Sequence, residues 1–85
     1  MRRLFFVQPY RMKHHRLVAS GALTFEERHD ALAAGQHAAR FRPGVVVLAQ
    51  DIDARSGRLG KPEVVAIHGR VPEAWYAADR KQDAA

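Results

Sequence analysis

Residues 44–53, GVVVLAQDID, open on a glycine and then run through five apolar positions without a polar interruption. In a strand, successive side chains point to opposite faces. A strand with one wet face should therefore alternate apolar and polar residues. This one divides into Val45, Val47 and Ala49 on one side and Val46 and Leu48 on the other. It reads as a strand covered on both faces, and the fold follows from asking what covers each.

Working outward, Pro62-Glu63-Val64-Val65-Ala66-Ile67-His68-Gly69 reads as the returning strand of a hairpin, joined by the glycine-punctuated turn Ala54 to Lys61. Strict alternation sets Val65 and Ile67 against Val64 and Ala66. In the turn, Asp53 is expected to bond its own backbone and Gly57 and Gly60 to take positive φ. Upstream, residues 3–10, RLFFVQPY, are rich in β-formers, with Phe5 and Val7 opposed to Leu4 and Phe6. Pro9 cannot donate to a ladder and marks an edge or a strand end. A polar connector, RMKHHR at 11–16, leads to a short strand Leu17-Val18-Ala19.

Thr24-Phe25-Glu26-Glu27 has the form of a capping box and predicts a helix from there to Phe41, stopped by Pro43-Gly44. Arg40 and Arg42 sit at its negative end. Phe25, Leu32, Gly35 and Ala39 share one side with Ala31 and Ala38 beside them, and Arg28 lies within that face with its stem packed. The face is thin. The expected fold is α+β: a two-layer ββαββ domain over 1–76, its four-stranded antiparallel sheet carrying one helix on one face, with a frayed tail at 77–85.

One helix covers one face. The other is closed either by a short helical turn at Val71-Pro72-Glu73-Ala74-Trp75-Tyr76 or by a second chain. Eighty-five residues bury only about 60–65% of the unfolded surface, so a partner helps. The favoured expectation is association, as a homodimer or with another protein, through Leu4, Phe6, Val46, Leu48, Val64, Ala66 and Trp75. The alternative is a nucleic-acid binder. The net charge is +5, with eleven Arg and three Lys among the cations. Arg and Ala share GC-rich codons, which accounts for part of that bias. The cations expected to act are Arg2, Arg3, Arg11, Lys13 and Arg16, on a β-ribbon tip and at the N-terminus.

No catalytic residue, metal or cofactor is expected, and the chain reads as non-enzymatic. There is no cysteine to build a thiolate site. His14-His15 have no third ligand at a useful spacing, and His29 and His37 lie on the helix's polar side. His68 is expected to face water or an interface. Asp51-Ile52-Asp53 lacks a downstream Glu at calcium-loop spacing, and Arg55 stands where an oxygen ligand is needed. Ser20, Thr24 and Ser56 lack a base and an orienting partner, and a histidine-based ribonuclease lacks a convergent acid and base. The apolar run after Arg2-Arg3 is too short for a signal peptide or a span, which predicts a cytoplasmic protein without membrane contact.

Val7-Gln8-Pro9-Tyr10, Gly44-Val45-Val46-Val47, Gly57, Gly60, Pro62-Glu63-Val64-Val65 and Gly69-Arg70-Val71-Pro72 together resemble a group of short proteobacterial proteins. That group opens with a strand ending in Val-Gln-Pro-aromatic and closes with Gly-x-Val-Pro. Leu48-Ala49 departs from the aromatic-serine pair associated with that strand. The resemblance covers most of residues 4–73 and implies a bacterial cytoplasmic origin; the group has no assigned activity, so no site residue carries over.

Overall fold

The computed structural model describes residues 2–84. It is an α+β fold built on an antiparallel sheet. The chain runs β1 (Arg2–Lys13), β2 (Arg16–Ala19), β3 (Leu23–Phe25), α1 (Arg28–Ala38), β4 (Gly44–Ile52), β5 (Glu63–Gly69) and α2 (Glu73–Ala84). Strand order is β2-β1-β4-β5, and β3 also pairs with β1. The sheet thus has five strands and two helices flank it, where four strands and one helix were expected.

The extra strand explains the missing capping box. Phe25 and Thr24 pair with Phe5 and Phe6. Thr24 is therefore held in a ladder and cannot cap. Glu27 is the N-cap instead, with no side-chain cap bond, and the helix is shorter at both ends than its sequence pattern predicts. Extended pairing along β1 wins over a local cap worth about 1 kcal/mol.

β2 and β3 lie end to end along one edge of β1, interrupted at residues 20–22. Pro9 causes the interruption. Of the two expected placements the strand end is excluded, because Pro9 sits buried within β1 and pairs with Val45, while the gap between β2 and β3 leaves it locally at an edge. Its carbonyl accepts from the Ser20 amide at 2.9 Å, so its nitrogen faces the same gap and has no hydrogen to return. The Gln8 side-chain amide supplies the missing donor, reaching the Ser20 carbonyl at 2.6 Å and the Pro9 carbonyl at 2.8 Å. A proline is accommodated inside a sheet because a neighbour replaces the lost bond.

α1 packs on one face, over Phe5, Val7, Val45, Val47 and Ala49, using the buried Ala31 and the partly buried Ala34 and Ala38. A Cβ added at Gly35 would come within 2.6 Å of a Val47 methyl, so glycine there sets how close the helix lies. α2 lies against the other face, where Trp75, Tyr76 and Ala78 meet Tyr10, Val46, Leu48, Val64 and Val71. The Trp75 indole donates to the Tyr10 hydroxyl at 2.8 Å. The segment expected to fray is thus helical through Ala84; Ala85 lies outside the described residues.

α2 also closes the β5 edge. Gln82 accepts from the Val64 amide at 2.6 Å and donates to the Val64 carbonyl at 3.0 Å, while the Tyr76 hydroxyl donates to the Gly69 carbonyl. A carboxamide pairing with both backbone groups of one residue replaces a neighbouring strand and blunts the edge against pairing with another chain.

A register shift between Val47 and Leu48 bulges β5: Val47 pairs with Ala66, but Leu48 pairs with Val64. Val65 and Ala66 consequently both face α1, and Val64 and Ile67 face α2. Ala66 therefore leaves the interface set in which strict alternation placed it. In the β4–β5 turn, Asp53 accepts from the Arg55 amide at 3.0 Å, as expected of an Asx turn. That bond, with help from Ser56, holds the Asp53 carboxyl below its ordinary range. Gly57 has φ 72°. Gly60 is not in the left-handed region; its amide donates to the Asp51 carbonyl at 2.7 Å.

Candidate functional site

The registers define two ends of the sheet. At one, Tyr10 pairs with Gly44 and Gly44 with Gly69; at the other, Arg2 pairs with Ile52 and Ala49 with Glu63. Charge divides between them very unevenly.

At the second end, around the start of β1, the start of α1 and the β4–β5 turn, six acids (Glu26, Glu27, Asp30, Asp51, Asp53, Glu63) match six cations (Arg2, Arg3, Arg28, Arg55, Arg58, Lys61). Several are paired directly: Arg2 with Glu26, and Arg3 with Glu63 and, at 3.5 Å, Asp51. α2 contributes three acids and two cations. The first end holds Arg11, Lys13, Arg16, Arg40, Arg42 and Arg70, all exposed, and none of them appears in an ion pair among the described residues. Glu73, three residues past Arg70, is engaged by Arg80 at 2.8 Å. The balanced end cancels and α2 is slightly acidic, so these six cations carry the whole +5 of the chain.

Three of the six stand on a ribbon that projects past the sheet. β4 pairs with β1 only as far as Tyr10, whereas β2 pairs with Tyr10 to Lys13. The two-residue loop His14-His15 closes it, with φ of 49° and 64°. Left-handed conformation at both loop positions is the backbone of a type I′ hairpin, which favours Asn-Gly because other residues are strained there. Two imidazoles at the tip cost about 1 kcal/mol each relative to glycine. Odd residues of β1 share the α1 face with Phe5 and Val7. Arg11, Lys13 and, opposite it, Arg16 therefore lie on that same side.

The other three surround the α1 exit and the β4–β5 junction. Arg40, Phe41 and Arg42 make amide bonds back to His37 and Ala38, between 3.0 and 3.2 Å, which fix the backbone after the helix. Phe41 is 72% exposed, and the His37 ring packs on it in a T-shaped arrangement at a centroid distance of 5.4 Å. Arg70 is fixed by its amide, which donates to the Pro43 carbonyl at 2.8 Å. His68 lies half-buried beneath α1 near Gly35, with its Nε2 lacking a hydrogen-bond partner, and so faces neither solvent nor a partner as anticipated.

Of the cations singled out from sequence, the structure brings together Arg11, Lys13 and Arg16. It separates Arg2 and Arg3 from Arg11 and Lys13 by about 26–36 Å of extended strand, at the end where both are paired with acids. Arg40, Arg42 and Arg70 were missed as members of this group. The triplet Arg40-Phe41-Arg42 was legible, but its arginines were accounted for as partners of the helix dipole.

The apolar set fares differently. Val46, Leu48 and Val64 are buried under α2, and Leu4 and Phe6 are half-buried on the same face, Phe6 packing against that cluster. Among the described residues, no three His, Asp or Glu side chains group as metal ligands, and no helix is long and apolar enough to cross a membrane. A cleft of about 480 Å³ between α2 and the segment before β5 is floored by Pro62, Ala74, Ala77 and Ala78. Compared with known proteins, the chain matches no family model, no curated protein and no solved structure.

Proposed function

We propose that this is a non-enzymatic nucleic-acid-binding protein that engages the phosphate backbone with the end of the sheet formed by the β1–β2 ribbon, the α1 exit and Arg70. The observation that carries the reading is the segregation of charge. A genome-wide bias towards arginine would scatter cations among acids; here one end sets six acids beside six cations, and the other gathers six cations with no ion pair among the described residues. Guanidinium groups suit phosphate because their planar donors bond two oxygens at once. The strained His14-His15 loop supports the same reading, since glycine would relieve the strain but would present no side chain.

The test is binding of labelled oligonucleotides by fluorescence anisotropy across a salt series. Each phosphate neutralised contributes about 0.7–0.9 to the slope of log affinity against log salt. The chain with Arg11, Lys13 and Arg16 all changed to Ala should bind more weakly and lose about 2 from that slope. A control with Arg55→Ala and Arg58→Ala, at the balanced end, should bind like the parent. If the parent binds no oligonucleotide at low ionic strength, or the triple variant binds as the parent does, the reading is wrong.

Association through the α2 side of the sheet is a second reading, and a specific observation favours it. Leu4, Phe6 and Leu17 are half-exposed beside α2 and Met12 is 40% exposed, leaving an apolar strip along β1. The mass in solution tests it: a dimer that Phe6→Glu dissociates supports the strip as a contact, and a monomer at high concentration removes it. Leu48→Asp, at 9% exposure under α2, would report on folding and not on association.

A further inference from the structure

We infer that the basic end takes single-stranded nucleic acid, with a base stacked on Phe41; the inference rests on the nucleic-acid reading and narrows it. Phe41 is the most exposed of the large apolar side chains, at 72%. It stands between Arg40 and Arg42, and the backbone amides of all three are bonded to the last carbonyls of α1. The ring is thus offered from a fixed backbone. His37 lies against it in a T-shaped arrangement, at an interplanar angle of 64°, and at 72% exposure a ring face is open to solvent.

An open aromatic face on a residue flanked in the chain by two arginines offers what an unpaired nucleotide requires. The base stacks on the ring, and the phosphates on either side of it meet the arginines. A duplex has no use for the ring, since its base faces are already stacked on one another and only edges are reachable. The placement of the remaining cations agrees. Arg11, Lys13 and Arg16 lie on the face of the sheet that α1 covers, and Phe41 follows the end of α1 by three residues. One strand can therefore cross the end of the sheet from ribbon to ring, with phosphates on the cations and a base on Phe41. Base identity is not read by stacking, so this site is tolerant of sequence.

The experiment compares a labelled oligothymidine with a hairpin duplex carrying the same number of phosphates, each titrated with the parent chain, Phe41→Ala and Phe41→Trp. Phe41 touches only His37 among aromatic rings and is largely in water, so Phe41→Ala should leave the thermal midpoint within a few degrees of the parent. The parent should prefer the single strand. Phe41→Ala should lose about ten-fold in affinity for oligothymidine and little for the duplex, while Phe41→Trp should retain affinity and show quenching of the added indole on binding. Tighter binding of the duplex, or equal loss from both probes in Phe41→Ala, overturns the single-strand inference and leaves the broader reading standing. Failure of the parent to bind either probe overturns both.

Discussion

Gly44→Ala is expected to destabilise this protein more than any other single methyl group. Its Cβ would fall 1.6 Å from the Arg70 carbonyl oxygen and 2.4 Å from the carbonyl carbon. Both are backbone atoms, so no rotamer change relieves the contact. Nor can the backbone retreat. Gly44 pairs with Gly69, the Arg70 amide is bonded to the Pro43 carbonyl, and Gly69 has φ 68° with its own absent Cβ 2.3 Å from the Pro43 oxygen. Two glycines thus interlock where β4 begins and β5 ends. A chain of this size has a total stability of about 4–13 kcal/mol. Opening this junction should cost about 3 kcal/mol or more, by analogy with other strained backbone substitutions. At about 4–8 °C per kcal/mol, that is a fall of well over 10 °C in the thermal midpoint. Gly21→Ala, with nothing within 4 Å of its Cβ, is the control and should shift the midpoint little. A Gly44→Ala midpoint close to that of the parent would show that the junction is looser than its geometry. The junction also positions Arg42 and Arg70, so a partly folded Gly44→Ala chain should lose oligonucleotide affinity as well.

The second large effect is loss of α2. A chain ending at Pro72 exposes the Tyr10, Val46, Leu48 and Val64 surface and orphans the Tyr10 hydroxyl. It also strips Gln82 from both backbone groups of Val64, reopening the β5 edge. Burial of a large apolar side chain stabilises by about 1.5–3 kcal/mol. Trp75 and Tyr76, both half-buried, account for about 3 kcal/mol together on that scale before their neighbours are considered. The shortened chain is expected to lose cooperative unfolding, or to assemble through the bare edge and face in a concentration-dependent way. Near-ultraviolet circular dichroism, denaturant titration and sedimentation distinguish these outcomes. A shortened chain that is monomeric and unfolds cooperatively at the parent midpoint would mean that α2 only rests on the sheet.

These effects bear on how the sheet acquires its second cover. Association was the favoured expectation because five unbroken apolar positions in β4 need shielding on both sides. The alternative, closure by the segment around Trp75, is the one that the structure shows over β4 and β5. With residues 77–85 frayed, the second face would lack most of its cover; α2, folded from Glu73 to Ala84, supplies it. Their alanines and charges carry little helical periodicity of their own. Docking is decided by Tyr76 and Gln82, whose polar groups find the β5 backbone, and no spacing rule announces a side chain that pairs with a strand edge.

The sequence by itself determined the apolar cores of β1, β4 and β5, the β4–β5 hairpin with its Asx turn, and the existence of a thin small-residue helix between the second strand and β4. Each of these rests on local chemistry: alternation, turn residues and helical periodicity act over a few neighbouring positions. Tertiary structure alone decided four things. Thr24 and Phe25 joined β1 instead of capping a helix; Pro9 was kept inside a strand by Gln8; the bulge at Val65 moved Ala66 to the other face; and α2 docked. It also decided the candidate site. Arg16, Arg42 and Arg70 are far apart in the chain, and Arg3 is closer to Arg11 in sequence than Arg42 or Arg70 is. Only the antiparallel register, which folds distant positions back to one end of a sheet and sends the two ends of a single long strand about 35 Å apart, sorts the cations that lie among acids from those gathered at the other end.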